Sequence, residues 1–361
     1  MSGRKLLLTG ATGYIGGSVL ARLQASSNSA IRELSISALV RKQSEADVLR
    51  GMGVSPILFR DFDHSELLKK VASEHDIVIH TAVSYHPGSA KALILGLAER
   101  QRTSTQAVHY IHTSGTSNLG DYPITKKYLH PEGRIFSDKE EIYPYLKERE
   151  SFEPYLQRTS DVAVVETGEE TGMKTYILMC PTIYGVGSGA FNKLSIQVPL
   201  MMRKAIESGV AQYAGEDSGV WDHVHIDDLV DLYEIVLGKA LAGEAIGFGR
   251  QGFYFNGAGR HSWLEVAQGI GQAGYEAGAF TTPTPVSITL KEAGEKWHGG
   301  DAQLAELGFA SRSMTSSDRS RDLGWKPTKT EEDWNRSIEE EFQIVYQESK
   351  RSRDQKSGFS Y

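Results

Sequence analysis

Three glycines spaced three apart, Gly10, Gly13 and Gly16, follow the short apolar run Leu6-Leu-Leu8 in this chain of 361 residues. A strand that breaks into such a turn and then into a helix lets the backbone approach a pyrophosphate, whose charge faces the helix N-terminus. Gly10, Thr12, Gly13, Tyr14, Ile15 and Gly16 are therefore candidate cofactor-binding residues. The spacing G-x-x-G-x-x-G is not the commoner G-x-G-x-x-G, so the strand before and the helix after carry the reading.

Other strand ends extend the pattern. Arg41 and Lys42 close the second apolar run, where sites that select an unphosphorylated ribose place an acid; two cations suit a 2′-phosphate instead. The expected cofactor is NADP(H) in preference to NAD(H). In Arg60-Asp-Phe-Asp63, Asp61 can accept from the adenine amino group, Phe62 can pack on the ring, and Asp63 fits a helix N-cap. Thr81, Ala82 and Val83 are small where backbone must pass the pyrophosphate and ribose, and His80 reads as a packed core histidine. Ile111-His-Thr-Ser-Gly-Thr-Ser117 is a hydroxyl cluster across the crevice from the glycines. There Thr113 borders the cofactor, and Ser114 or Thr116 can polarise a substrate carbonyl.

These ends must be held by an alternation of strands and helices. Helical spacing over 15–24, 45–52, 65–73 and 89–100 separates apolar strands at 34–40, 56–59, 77–79 and 108–111. The pattern predicts an α/β fold: a doubly wound, Rossmann-like parallel sheet with ligands at the carboxyl ends of its strands. Residues 118–154 form a long polar loop, followed by a helix over 155–170 and a strand over 175–179. Beyond Tyr184, helices over 193–207, 228–241 and 262–273 predict a smaller, mainly helical C-terminal substrate lobe, with Ser262 and Glu265 as a capping box. The expected division is a dinucleotide-binding domain over 1–185, a substrate lobe over 186–348 interleaved with the sheet, and a disordered tail over 349–361.

Composition narrows the classes. A formal charge of −7 without a Lys/Arg stripe argues against nucleic acid as partner. The single cysteine, Cys180, excludes an intramolecular disulfide framework and a multi-cysteine metal site, and no metal is expected. No run of apolar residues is long enough to span a membrane, and no signal peptide is evident, so a cytoplasmic protein acting on a small molecule is expected. A homodimer is compatible with the sequence.

Four segments together resemble the extended short-chain dehydrogenase/reductase superfamily, the NAD(P)-dependent epimerase/dehydratase group. They are Thr9-Gly-Ala-Thr-Gly-Tyr-Ile-Gly16, the hydroxyl-bearing end of strand five, Pro181-Thr-Ile-Tyr-Gly185, and Trp221-Asp-His-Val-His-Ile-Asp-Asp228. The resemblance implies that Pro181, Thr182 and Ile183 flank the nicotinamide. It also implies a catalytic tyrosine with a lysine four residues later, the lysine lowering the tyrosine pKa and holding the ribose. Tyr155 is the best-placed tyrosine, but Thr159 stands where the lysine should be, and Arg158 lies about 100° round the helix from that face. A literal Tyr143-Pro-Tyr-Leu-Lys147 occurs twelve residues earlier, in a charged loop.

Cys180 and Trp221 replace arginines common among relatives, and an indole suits an uncharged or aromatic substrate. Cys180 is not expected to be a nucleophile, Asp227 and Asp228 read as helix caps, and His223 with His225 lacks further metal ligands. Two readings follow. One is an NADPH-dependent oxidoreductase that reduces a carbonyl or enone of a small apolar metabolite, with Ser114 or Thr116 holding the oxygen and Tyr155 supplying the proton. The other is a non-redox cyclase, isomerase or dinucleotide-sensing regulator, motivated by the missing lysine. A hydrolase lacks its G-x-S-x-G elbow.

Overall fold

Leu6, Leu7 and Leu8 are all fully buried, and they point alternately into two cores. Both faces of the strand that carries them are covered, as in parallel sheets, and each side chain contributes about 1.5–3 kcal/mol of burial. The computed structural model describes residues 3–216 and 219–357. Its main sheet has strands β1 (Lys5–Thr9), β2 (Ser35–Val40), β3 (Ser55–Leu58), β4 (Ile77–His80), β5 (His109–Gly115), β6 (Lys174–Cys180) and β7 (Phe253–Phe255). The order is β7-β6-β5-β4-β1-β2-β3, every pair parallel. This is the doubly wound order, and it reverses between β1 and β4, where the crevice opens. Register sets the site: Thr9 pairs with His80 and Gly115 with Cys180.

The chain beyond β6 returns to this sheet twice. Helix Ile226–Leu241 packs with helix Tyr14–Gln24 in the first core, and β7 adds the outermost strand. Trp325, in Leu323-Gly-Trp-Lys-Pro327, is buried in the same core and donates to the Asp228 carbonyl at 2.7 Å. A third core holds the smaller lobe, built on helices Gln197–Ser208, Trp263–Glu276, Leu290–Trp297 and Ala302–Phe309 around Trp221, Trp263 and Trp297. The capping box of Ser262 and Glu265 forms as read.

Three expectations need correction. The loop over 118–154 contains a full helix, Ile142–Phe152, which buries Ile142, Tyr143 and Leu146; Pro144 sits in its first turn, where proline is tolerated. The last helix runs Glu331–Ser357, so the tail expected to be disordered from 349 is helical to Ser357; residues 358–361 lie outside the described residues. Asp63 does not cap helix Ser65–Ser73, whose N-cap is His64.

Candidate functional site

The glycine turn is shaped by close approach. Gly10 has φ +79°, and a Cβ there would lie 2.7 Å from Thr81 Oγ1 and 2.8 Å from Ala82 Cα; at Gly16 it would lie 2.2 Å from the Gly10 carbonyl oxygen. Side chains are excluded at both positions. Gly13 is the N-cap of helix Tyr14–Gln24, with no side-chain cap and no acid in the first turn. Free N–H groups at that end therefore face the crevice, the arrangement that holds an anion. Gly13, Tyr14 and Ile15 line the cavity. The Tyr14 hydroxyl donates to the Gly185 carbonyl at 2.6 Å, fixing the helix to the loop after β6. Thr12 lies beside the cavity, its carbonyl accepting from the Asn192 N–H at 3.4 Å.

Arg41 and Lys42 are exposed at the end of β2, with Lys42 Nζ 3.8 Å from Glu45. Asp61 and Phe62 are half-buried after β3; Phe62 packs edge-on against Phe59 and His80, with centroids at 4.9 and 5.7 Å. The Asp61 carboxylate accepts from the Asp63 N–H at 3.2 Å and lies 3.3 Å from Arg60, while Asp63 meets His86. Thr81 Oγ1 donates to the Thr9 carbonyl at 2.7 Å, pinning β4 to β1 beneath the glycines. His80 is the packed core group expected: Thr9 Oγ1 lies 2.7 Å from its Nδ1, and burial pushes its pKa down to about 3.

At the end of β5 the hydroxyls diverge. Thr113 Oγ1 meets the Tyr233 hydroxyl at 2.5 Å and Ser114 donates to Asp161 at 2.7 Å, and both residues line the cavity. Thr116 is fully buried, without a hydrogen-bond partner for its hydroxyl, and stands off the cavity. Ser117 lines the cavity instead and accepts from the Tyr155 hydroxyl at 3.2 Å. The sequence reading missed a chain of groups here. Tyr85 and Tyr155 hydroxyls lie 2.8 Å apart, Ser117 donates to Gln157 at 2.5 Å, and Gln157 donates to Ser84 at 2.8 Å.

Tyr155 is the N-cap of helix Leu156–Thr171 and half-buried; its hydroxyl is withdrawn from solvent, and that burial, with Tyr85 beside it, raises its pKa well above the usual value. No lysine relieves this. Thr159 Oγ1 is turned to Glu150 and to the Tyr155 carbonyl. Arg158 is fully buried, its guanidinium donating to the Glu153 and Asn118 carbonyls. Tyr143 and Lys147 both bind Glu166 and form a strut away from the cavity.

Thr81, Ala82, Val83, Thr113, Ser114 and Tyr155 line a cavity of about 670 Å³ that runs from Gly13 at the glycine turn into the smaller lobe, while Arg41, Lys42, Asp61 and Phe62 lie outside its lining. Pro181 and Ile183 line it; Thr182 is fully buried and faces away. Its far end is apolar and aromatic, with Leu200, Trp221, Leu304 and Phe309, and His298 as its titratable side chain. Among the described residues no Lys, Arg, Asp or Glu lines it. Trp221 is held by donation to Ser311 at 2.8 Å and edge-on packing against Trp263. Burial pushes the Cys180 thiol up to about 12, which leaves it unreactive. Among the described residues no group of three metal-ligating side chains occurs; His223 stacks on His261 and Trp334, and His225 caps helix Ile226–Leu241. Asp228 receives the Thr328 and Lys329 N–H groups, a structural clamp.

Residues 6–248 match the NAD dependent epimerase/dehydratase family. The chain belongs to that family. Among curated relatives, the oxidase ucsJ of an Acremonium species is 28% identical over 335 residues, covering 90% of this chain and 93% of its own. Among solved structures, dTDP-glucose 4,6-dehydratase from Bacillus anthracis, in complex with NAD, aligns with a TM-score of 0.63 at 15% identity, covering 96% and 97% of the two chains. UDP-glucuronic acid 4-epimerase from Bacillus cereus, in complex with UDP-glucuronic acid and NAD, aligns with a TM-score of 0.61 at 14% identity over 95% and 99%. These likenesses carry the fold. No described helix is long and apolar enough to cross a membrane.

Proposed function

We propose that this family member is an NADP(H)-dependent oxidoreductase acting on the carbonyl or enone of a small, uncharged, largely apolar metabolite. The observation that carries the reading is a continuous cavity, which joins the glycine turn to an aromatic chamber whose described lining holds no Lys, Arg, Asp or Glu. The solved relatives bind NAD, and the curated relative is named an oxidase, which supports a redox use. The bound cofactor supplies hydride exchange at the nicotinamide ring. Arg41 and Lys42 bind the 2′-phosphate; Phe62 and Asp61 border the adenine; the N–H groups of Gly13 to Ile15 hold the pyrophosphate; Thr81 to Val83, Thr113, Pro181 and Ile183 flank the remainder.

Ser114, Ser117 and Tyr155 bring their hydroxyls to the cavity wall that would meet the substrate oxygen; without substrate they donate to Asp161, Gln157 and Ser117 respectively. A nucleotide-sugar diphosphate would find no cation on the chamber wall, and burying its charge unpaired would be costly. Trp221 and Phe309 instead offer aromatic surface to a neutral molecule. The test is titration with NADPH and NADH, followed by NADPH oxidation against neutral aldehydes, ketones and quinones and against UDP-glucose. Tighter NADPH binding and turnover confined to neutral carbonyls support the reading; preference for NADH or for the nucleotide sugar contradicts it. The non-redox reading draws on Thr159 alone, and stoichiometric binding without cofactor oxidation would favour it.

A further inference from the structure

Behind Ser114, on the side away from the cavity, sits a carboxyl that the family pattern does not use. Ser114 Oγ donates to Asp161 Oδ2 at 2.7 Å, and Asn118 Nδ2 donates to the same oxygen at 2.6 Å. Asp161 and Asn118 are fully enclosed. Asp161 Oδ1 has no hydrogen-bond partner, and neither has His112 Nε2, which stands 3.7 Å from it. The Tyr110 hydroxyl lies 3.2 Å from His112 Nδ1; donation there puts the imidazole hydrogen on Nε2, facing the carboxyl. Burial holds His112 well below its usual range, so it offers no positive charge. Arg158, on the same helix, donates Nε and Nη1 to the Asn118 and Glu153 carbonyls and leaves Nη2 without a partner; its charge favours the Asp161 carboxylate without contacting it, and burial outweighs that pull. A carboxyl enclosed without a contacting cation favours its protonated form, and burial pushes Asp161 up to about 7.

We propose that Asp161 and Ser114 form a proton relay serving the substrate oxygen in place of the family's tyrosine and lysine. The proposal rests on the redox reading above. When Asp161 is ionised, Ser114 donates inward and presents only lone pairs to the cavity. When Asp161 is protonated, it donates to Ser114, and Ser114 donates outward. In the reductive direction, hydride carries two electrons from the reduced nicotinamide to the carbonyl carbon, the C=O π pair moves to oxygen, and that oxygen takes the Ser114 proton as Ser114 takes the one on Asp161. The alcohol leaves with oxidised cofactor and an Asp161 carboxylate behind it, which recovers its proton from water through the same serine. Oxidation of an alcohol runs the transfers in reverse. Tyr155, whose ionisation is disfavoured, remains a neutral donor that orients the oxygen. Asp161 is thus a positioning and proton-holding residue, and Ser114 is the group that touches substrate.

The test is infrared difference spectroscopy of the full chain with NADP⁺ bound, titrated through neutral pH in wild type, Asp161→Asn and Ser114→Ala. The proposal expects a carboxylic acid band that titrates near neutrality, is absent from Asp161→Asn, and shifts to higher pH in Ser114→Ala, which has lost a hydrogen bond to the ionised form. A carboxyl population unchanged by Asp161→Asn overturns it. In NADPH oxidation with whichever neutral carbonyl turns over, either variant should lower kcat by ~100-fold or more with KM for NADPH unchanged. The wild-type decline in reduction above neutral pH should vanish in Asp161→Asn. Full activity in Ser114→Ala, or an unaltered pH profile in Asp161→Asn, overturns the relay; should Asp161→Asn not fold, the band shift and kcat of Ser114→Ala decide. A carbonyl panel that leaves NADPH untouched counts against the redox reading alone, and the infrared titration then decides the relay.

Discussion

The hydroxyls of Tyr85, just past β4, and Tyr155, at the first turn of helix Leu156–Thr171, lie 2.8 Å apart. The bond joins two walls of the cavity. It also gives the Tyr155 hydroxyl a neutral partner, so in the proposed reaction Tyr155 would hydrogen-bond to the substrate oxygen without ionising.

Tyr155→Phe should therefore lower kcat roughly 100-fold, the loss typical of one donor to a developing oxyanion. Tyr85→Phe removes only the neighbour's partner and should cost much less. Steady-state NADPH oxidation measures both, and equal losses in the two variants would contradict the assignment of Tyr155 to the substrate oxygen.

Arg41 is exposed at the end of β2 and carries the 2′-phosphate in this account. Charge-assisted hydrogen bonds contribute about 1.5–3 kcal/mol, so Arg41→Ala should weaken NADPH binding about tenfold or more while NADH binding stays level. Calorimetric titration of both cofactors checks this. Parallel weakening of the two would place Arg41 away from the phosphate.

Gly16 and Gly13 should respond differently to alanine. At Gly16 the new Cβ meets backbone oxygen at 2.2 Å, whereas at Gly13 its contact is the Gly10 carbonyl at 3.2 Å. Overpacking of the first kind costs about 1–3 kcal/mol, so Gly16→Ala should melt clearly below Gly13→Ala in thermal unfolding. Coincident melting curves would be evidence against the close approach.

Acid should destabilise the fold. His80 is held down to about 3, His109 and His223 to about 4, each by burial, while their unfolded values are about 6.5. The unfolded chain then binds more protons, so this stability is full above about pH 6.5 and is lost as pH falls toward 4. Asp161 and Glu341 oppose this: both are raised to about 7, so their contribution is full below the unfolded carboxylate value and lost as pH rises through 7. His112 and His261 are also strongly lowered, so histidines outnumber carboxyls. The urea midpoint should fall between about pH 6.5 and pH 4; a level or rising midpoint there would show the histidines are not buried neutral.

Much of the fold was legible because β1 to β6 each carry an apolar run of their own. β7 was not, since Phe253-Tyr-Phe255 is too short to signal a strand before it pairs with β6. Thr116, expected at the site as part of the hydroxyl cluster ending β5, stands off the cavity, although alternation along an extended strand would put it on the face of Ser114. The chain instead turns into a 3₁₀ helix over Thr116–Leu119, which breaks the alternation and brings Ser117 to the cavity. Asp161 left no local mark: its partner lies 47 residues away, and only the packing of helix Leu156–Thr171 on β5 joins them.

The central claim, hydride exchange with a neutral substrate, is tested most directly with NADPH carrying deuterium at nicotinamide C4. The chain is incubated with neutral aldehydes, ketones and quinones, and the products are examined by mass spectrometry. The account predicts that one face of the labelled cofactor delivers its deuterium to the product, in step with cofactor oxidation. Cofactor bound one per chain and recovered fully reduced, with no label in any product, would contradict it.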